Sequence, residues 1–311
     1  MGPTASGKTD VAISLCKRFP FDIISVDSAL VYRGMNIGTA KPDAATLARV
    51  PHRLIDIRDP EESYSAGEFV RDARAEIKEI HARGRIPLLV GGTMMYFRAL
   101  TEGIADLPKA DAEIRREIDA LAAHAGWAAV HRELAAVDPA AAGRINPNDS
   151  QRLQRALEVY RMSGRTLTDW QSEARPPPRD IDYLKIGLQV EPRSVLHERI
   201  ALRLSQMLES GFVDEVRRLR ERPGLTEQSP SMRSVGYRQF WQFLDGRLTL
   251  EQASDRALFA TRQLAKRQFT WLRSEKSVFT LNPLEADAID AISAHLKQRL
   301  DAPAGVLGVL P

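Results

Sequence analysis

Apolar positions along this chain follow two different spacings, and the chain divides where the spacing changes. In the first third, short apolar runs alternate with amphipathic stretches. Asp22-Ile23-Ile24-Ser25-Val26, Arg53-Leu54-Ile55-Asp56-Ile57 and Ile86-Pro87-Leu88-Leu89-Val90 each predict a buried strand. Between the last two, Phe69, Ala73, Ile77 and Ile80 recur at helical spacing, so 65–83 predicts a helix, and Gly84 suits its C-terminal cap. Val11, Ala12, Leu15, Cys16 and Phe19 predict an earlier helix. Strands alternating with helices predict a parallel sheet flanked by helices, an α/β fold.

Around Asp106-Leu107-Pro108 the strand signals stop. Three helical stripes follow: Ile114, Ile118, Leu121 and Ala122; then Trp127, Val130, Leu134 and Val137; then Leu153, Ala156, Leu157 and Tyr160. Asp149 or Ser150 suits the N-cap of the third, and Gly164 lies past its end. Pro176-Pro177-Pro178 predicts a stiff linker. Beyond it, 184–190 predicts a strand, 194–210, 213–222 and 250–273 predict helices, 277–281 a last strand and 285–300 a closing helix. The tail 302–311 is punctuated by Gly and Pro and is expected to fray. No internal repeat is visible. The simplest organisation is one α/β core made of 1–106 and 182–311, interrupted by an all-helical insertion at 107–181.

Length and composition narrow the class. The 311 residues suffice for about two domains, and the hydrophobic share of 43% is ordinary for a globular protein. No apolar run is long enough to span a bilayer, and no secretory signal is present, so no membrane association is expected. The single cysteine, Cys16, excludes an intramolecular disulfide framework and fits a reducing cytoplasm. The histidines and the cysteine show no metal-ligand spacing. Net charge is only +3, but between 256 and 276 six basic residues (Arg256, Arg262, Lys266, Arg267, Arg273, Lys276) face one acid, Glu275, a local excess of five. That is the footprint of a polyanion partner.

The chemistry-bearing signal lies at the start. Gly2-Pro3-Thr4-Ala5-Ser6-Gly7-Lys8-Thr9 is a complete G-x-x-x-x-G-K-[ST] phosphate loop. Gly2 and Gly7 permit a tight turn that aims N–H groups at one anion, and the following helix adds its positive end. Lys8 would reach the outer phosphate and the Thr9 hydroxyl would hold Mg²⁺. Such a loop needs a strand before it, so Met1 is expected to be that strand's last residue. Two further motifs fall at strand ends: Asp27-Ser28-Ala29-Leu30 after Val26, and Gly91-Gly92-Thr93 after Val90. Ligands of open parallel sheets bind beyond the carboxyl ends of strands, so one shared site is expected. By spacing alone Asp27 is a metal-holding carboxylate, a helix N-cap or a catalytic base. Gly91-Gly92 is a ligand contact or a tight turn with Thr93 as N-cap. Arg199 and Arg203, one helical turn apart, suit a diphosphate or a solvated face beside Glu198. Arg262, Lys266 and Arg273, with Phe269 and Trp271 between them, suit single-stranded bases; the alternative is a helix whose Leu264, Phe269 and Leu272 pack.

Taken together, the motifs resemble those of tRNA dimethylallyltransferases, also called tRNA isopentenyltransferases. The resemblance covers nearly the whole chain. It rests on the phosphate loop, on Ser25-Val26-Asp27-Ser28-Ala29-Leu30-Val31-Tyr32, on Asn36-Ile37-Gly38-Thr39-Ala40-Lys41-Pro42, on Pro51-His52-Arg53-Leu54-Ile55-Asp56, on Tyr64-Ser65-Ala66 and on Leu89-Val90-Gly91-Gly92-Thr93. It continues through Asn148-Asp149-Ser150-Gln151-Arg152, Arg155-Ala156-Leu157-Glu158-Val159, Ser234-Val235-Gly236-Tyr237-Arg238 and Arg262-Gln263-Leu264-Ala265-Lys266-Arg267-Gln268.

The resemblance implies transfer of a dimethylallyl group from dimethylallyl diphosphate to the exocyclic amine of the adenosine at tRNA position 37, assisted by Mg²⁺ at Thr9. It implies that Gly2, Pro3, Thr4, Ala5, Ser6, Gly7, Lys8, Thr9 and Arg203 hold the diphosphate, and that Asp27 and Thr93 are catalytic, Asp27 taking the amine proton. It assigns tRNA contact to Asp27, Ser28, Ala29 and Leu30, to Gln151, Arg152, Leu153, Gln154 and Arg155, and to Arg233, Ser234, Val235, Gly236, Tyr237 and Arg238. Lys266, Arg267, Gln268, Phe269, Thr270, Trp271, Leu272 and Arg273 complete that set. The insertion would grip the anticodon stem of a cytoplasmic monomer's tRNA substrate. Two other classes stay open: a small-molecule phosphotransferase, in which the loop would bind ATP, and a nucleic-acid-binding module that keeps the loop as an anion site.

Overall fold

In the computed structural model, which describes residues 1–173, 178 and 180–300, the chain forms two compact units, Met1–Ala99 with Arg179–Pro311, and Leu100–Pro178. The first is α/β. Its strand β1 (Phe21–Val26) lies between β2 (His52–Arg53) and β3 (Ile86–Gly91), with both pairings parallel. Ile23, Ile24 and Val26 are fully buried, as a central strand requires. The crossover into β3 is the helix Ala66–Ala82, which starts at a capping box of Ser65 and Glu68. It buries Phe69, Ala73, Ile77 and Ile80, the stripe read from the sequence. Two more strands, β4 (Lys185–Leu188) and β5 (Val278–Leu281), pair in parallel as a second small sheet. Leu188 packs with Leu15, Phe21, Ile292 and Leu296. Met1 lies alongside β4: its amine donates to Ile186 O and its carbonyl accepts from Leu188 N. Burial, with Lys8 nearby, lowers the pKa of that amine to about 5.

One expected strand fails. The run 53–57 keeps only its first residue in β2, because Leu54 and Asp56 adopt left-handed backbone, with φ of 61° and 54°. Such residues cannot continue a pleat. The segment turns instead toward 30–32: Asp56 N donates to Leu30 O, and Ile57 N and Arg58 N to Val31 O. The Asp56 carboxylate pairs with Lys41 Nζ at 2.5 Å.

The helix Leu250–Ser274 turns Ala265, Gln268, Phe269 and Leu272 inward. Ala265 and Phe269 pack with Leu196 and Ile200 of the helix Arg193–Glu209 and with Ala5. The phosphate-loop segment therefore rests on the long helices of the same unit.

Among its described residues the second unit has helices and no strand: Ala112–Ala125, Trp127–Val137, Pro139–Arg144, Ser150–Ser163 and Leu167–Ser172. Ile118, Val130, Leu134, Leu153, Ala156 and Leu157 form its core. Asp111, Asp138 and Asp149 cap helix starts, and Gly164 ends the fourth helix in left-handed conformation. The buried Glu158 carboxylate is held by Arg115, by Arg155 and by the N–H of Asp111. Apart from Pro178, the expected linker Pro176-Pro177-Pro178 lies outside the described residues, as does the tail from 302.

Candidate active site

The register of β1 and β3 brings the strand-end motifs together. Val26 is paired with Gly91, so Asp27 and Gly92 leave the sheet side by side. A Cβ on Gly91 would collide with the Val26 backbone, and one on Gly92 with the Gln268 side chain, so both positions need glycine for close approach. Beyond them opens a cavity of about 400 Å³, lined by Thr4, Ala5, Ser6, Gly7, Lys8 and Thr9, by Asp27 and by Arg203.

The loop turns through left-handed Ala5 and Gly7, the latter with φ of 83° at the N-cap of the helix Lys8–Cys16. The first-turn N–H groups of a helix lack intrahelical acceptors, so this end of the cavity favours an anion. Gly2 and Pro3 are buried behind the lining. Pro3 O accepts from Lys8 Nζ at 2.6 Å. Burial lowers the Lys8 pKa to about 8, with Asp27 acting to raise it and Arg203 to lower it, so the ammonium persists at neutral pH. Burial, then the neighbouring Arg199, lowers the pKa of Arg203. The arginine pair is thereby split: Arg203 lines the cavity and Arg199 does not.

Asp27 starts no helix. Its Oδ1 accepts from Ala29 N at 2.8 Å and Leu30 N at 3.3 Å, an Asx turn, which removes the helix-cap reading. Oδ2 has no protein partner among the described residues and is free for substrate. Thr93 Oγ1 accepts from Ser28 N at 3.0 Å, so its hydroxyl fastens the residue next to Asp27.

Gln268 takes an unexpected role. Its Oε1 accepts from Thr4 N and its Nε2 donates to Gly92 O, each at 2.8 Å. It is a buried strut between the phosphate loop and the turn after β3. The signal for it was a polar residue inside the apolar stripe 265, 268, 269, 272. Ser6 Oγ, Ser25 Oγ and His52 Nε2 are also buried without protein partners, and all three residues line the cavity. Such atoms call for water or ligand there.

The expected tRNA contacts divide by burial. Ser28, Gln151, Arg152, Arg233, Arg238, Lys266, Arg267, Thr270 and Arg273 are exposed. Ala29, Leu30, Ser234 and Val235 are half-buried and line the cavity. Leu153, Phe269 and Leu272 are buried and pack in the interior, while Gly236, Tyr237 and Gln268 are buried at the cavity lining. Gln154 bonds Asp119, and Arg155 is engaged with Glu158 and Pro108 O. Trp271 is half-buried under the Arg98 guanidinium.

Thr9 and Asp27 are among the oxygen donors on the cavity lining, which also include the Asp10 carboxylate and the Ser6 hydroxyl, and they are the two the phosphate-loop pattern singles out for a metal ion. No group of three or more His, Cys, Asp or Glu able to do so occurs among the described residues. A hydroxyl and a carboxylate fit Mg²⁺, which commonly takes one or two protein ligands and completes its shell with substrate phosphates and water. No helix among the described residues is long and apolar enough to cross a membrane.

An α/β unit that brings a loop of phosphate-binding sequence and a carboxylate to one cavity fits the class of transferases. More narrowly, residues 30–275 match the IPP transferase family model, and the chain belongs to that family. It is 56% identical over 302 residues to the tRNA dimethylallyltransferase of Thiobacillus denitrificans, covering 95% of this chain and 96% of that one. It is 59% identical over 279 residues to that of Alkalilimnicola ehrlichii, covering 89% and 87%. Among solved structures it is similar to the full-length tRNA isopentenylpyrophosphate transferase of Bacillus halodurans, with a TM-score of 0.70 and 39% identity over 96% of this chain and 95% of that one. A eukaryotic dimethylallyltransferase acting on tRNA matches with a TM-score of 0.79 and 26% identity, over 97% of this chain and 79% of that one.

Proposed function

We propose that this chain transfers the dimethylallyl group of dimethylallyl diphosphate to the exocyclic amine of the adenosine at tRNA position 37, releasing diphosphate. The observation that carries this reading is one cavity holding both a cationic anion cradle and a carboxylate with a free oxygen. The diphosphate lies against the loop, with Lys8 and Arg203 neutralising its charge. The adenine leaves its stack to enter. As the amine nitrogen bonds the prenyl C1, the C1–O bond breaks and its electron pair leaves with the diphosphate. The amine proton passes to Asp27, whose Oδ1 stays fixed in the Asx turn while Oδ2 faces the reaction. Thr93 keeps the Asp27–Ser28 segment in place. Mg²⁺, held by Thr9 with Asp27 nearby, would supply positive charge to the leaving diphosphate. The exposed Lys266, Arg267 and Arg273, and Gln151 and Arg152 of the helical unit, grip tRNA phosphates, the helical unit taking the anticodon stem. The enzyme works as a monomer in the cytoplasm, in keeping with its single cysteine.

The test is incubation with undermodified tRNA, Mg²⁺ and dimethylallyl diphosphate, followed by nucleoside mass analysis. A prenylated adenosine that depends on the donor is expected. ATP turnover with no prenylated nucleoside would overturn the reading in favour of a phosphotransferase.

A further inference from the structure

Glu215 is a carboxylate with 3% exposure on the short helix Phe212–Arg220, and the reaction outlined above does not use it. A buried carboxylate is costly unless every oxygen is satisfied. Here four donors converge on it. Asn36 N and Ile37 N donate to Oε2 at 2.9 and 2.8 Å, and Gly38 N to Oε1 at 3.1 Å. The Tyr237 hydroxyl donates to the same Oε1 at 2.6 Å. Tyr237 is itself fully buried, and burial together with Glu215 raises its pKa well above the ordinary value, so it remains a donor.

These donors come from two segments far apart in sequence, and both form the cavity lining. Gly38, Thr39 and Ala40 line it from one segment, and Ser234, Val235 and Gly236 from the other. Between them, the Phe212 ring meets Tyr237 edge-on with centroids 5.0 Å apart. A Cβ on Gly38 would run into the rings of both Phe212 and Tyr237, so the segments are in close contact as well as bonded. These six lining residues carry no cation. This wall is therefore not the diphosphate cradle, and it suits the neutral partner of the reaction.

We propose that Glu215 is the positioning residue for the acceptor adenine: its carboxylate clamps 36–38 to Tyr237, and that clamp holds the wall against which the base sits. This rests on the prenyl-transfer reading. The chemistry of the site requires the base in a fixed place, since small misplacements of a reacting group lower rates steeply.

Glu215→Gln places an amide NH₂ against N–H donors whichever way it is turned, so it opens the clamp. Tyr237→Phe removes one of the four donors and is the milder variant if Glu215→Gln does not fold. Steady-state kinetics with each substrate, equilibrium binding of undermodified tRNA, and calorimetric binding of inorganic diphosphate are measured for both. The expected result is a tRNA KM and Kd raised about tenfold in Glu215→Gln and about threefold in Tyr237→Phe, the scale of one or two lost hydrogen bonds. The donor KM and diphosphate affinity stay within about twofold. A merely structural role would reduce the active fraction while the rate per folded molecule, both KM values and the tRNA Kd stay at wild type, and that result overturns the proposal. So does a rise in donor KM at constant tRNA KM, which would make the wall a prenyl-tail site. If the wild-type protein prenylates nothing, the functional reading fails, while the tRNA Kd of the variants still decides on the wall.

Discussion

Asp27 keeps its place in the fold with one oxygen and, in the reaction proposed, does its chemistry with the other. Asn at this position retains an Oδ1 that can accept from Ala29 N and Leu30 N, so the turn survives. What is lost is the basic oxygen. Asp27→Asn is expected to slow single-turnover prenyl transfer by about 10²–10⁴-fold, the usual range for loss of a general base. The tRNA Kd of the same variant should stay within about twofold of wild type. A comparable loss in both quantities would make Asp27 a tRNA contact first and a base second. At this scale the sequence was legible wherever a residue belongs to a contiguous motif. Thr4 to Thr9 of the phosphate loop line one cavity with Asp27, and Thr93 stands outside that lining, bonded to Ser28. Gln268 and Glu215 were not legible in their present roles, because all their partners except the Tyr237 hydroxyl are backbone groups lying 176 to 264 positions away in sequence. No local spacing encodes such pairs.

Elements announced by caps and long stripes were readable, and short ones set by tertiary contacts were not. The capping box of Ser65 and Glu68 and that of Thr249 and Gln252 start two long helices close to where periodicity placed them. The helix Tyr237–Leu244 carries the stripe Tyr237, Phe240, Trp241 and Leu244, but over only 8 residues and entered through Gly236 at φ of 92°, so it went unpredicted. β2 was over-read because Leu54-Ile55-Asp56-Ile57 has the composition of a strand, while its left-handed residues are imposed by Lys41 and by 30–31. That short strand has its own pH consequence. His52 Nδ1 lies 2.7 Å from Val50 O, an acceptor only, so Nδ1 carries the proton and Nε2 is bare and buried. Burial lowers the His52 pKa below 6.5. Below pH 6.5 the unfolded chain takes up a proton that the folded chain refuses, so stability falls as pH drops from 6.5 toward the folded value. Urea unfolding of wild type and His52→Asn from pH 8 to 5 measures this contribution. A flatter slope below pH 6.5 is expected for the variant, and identical slopes would remove His52 from the account.

At the scale of the whole molecule, charge placement matters more than charge total. A net charge of +3 spread over 311 residues gives little long-range attraction for RNA, whereas the local excess of five between 256 and 276 does. The fold makes that excess usable. The helix Leu250–Ser274 turns Ala265, Gln268, Phe269 and Leu272 inward, which leaves Lys266, Arg267 and Arg273 on its solvent face. The aromatic half of the expected footprint is smaller than the sequence suggested, since Phe269 belongs to the core and Trp271 is covered in part by Arg98. Phosphate neutralisation is therefore the contribution expected of this helix in the tRNA complex proposed. Each phosphate contact contributes about 0.7–0.9 to the slope of log K against log salt, so replacing Lys266 and Arg267 together with Ala should lower that slope by about 1.4–1.8. Affinity for tRNA should fall most at low salt, while inorganic diphosphate binding, which depends on Lys8 and Arg203, stays unchanged. Titration of labelled tRNA across a salt series measures both the slope and the intercept. A line parallel to wild type would mean that these cations are solvated and that the grip lies in the helical unit. There Arg152 is the residue to replace next, because its side chain is 74% exposed while Arg155 is engaged with the buried Glu158.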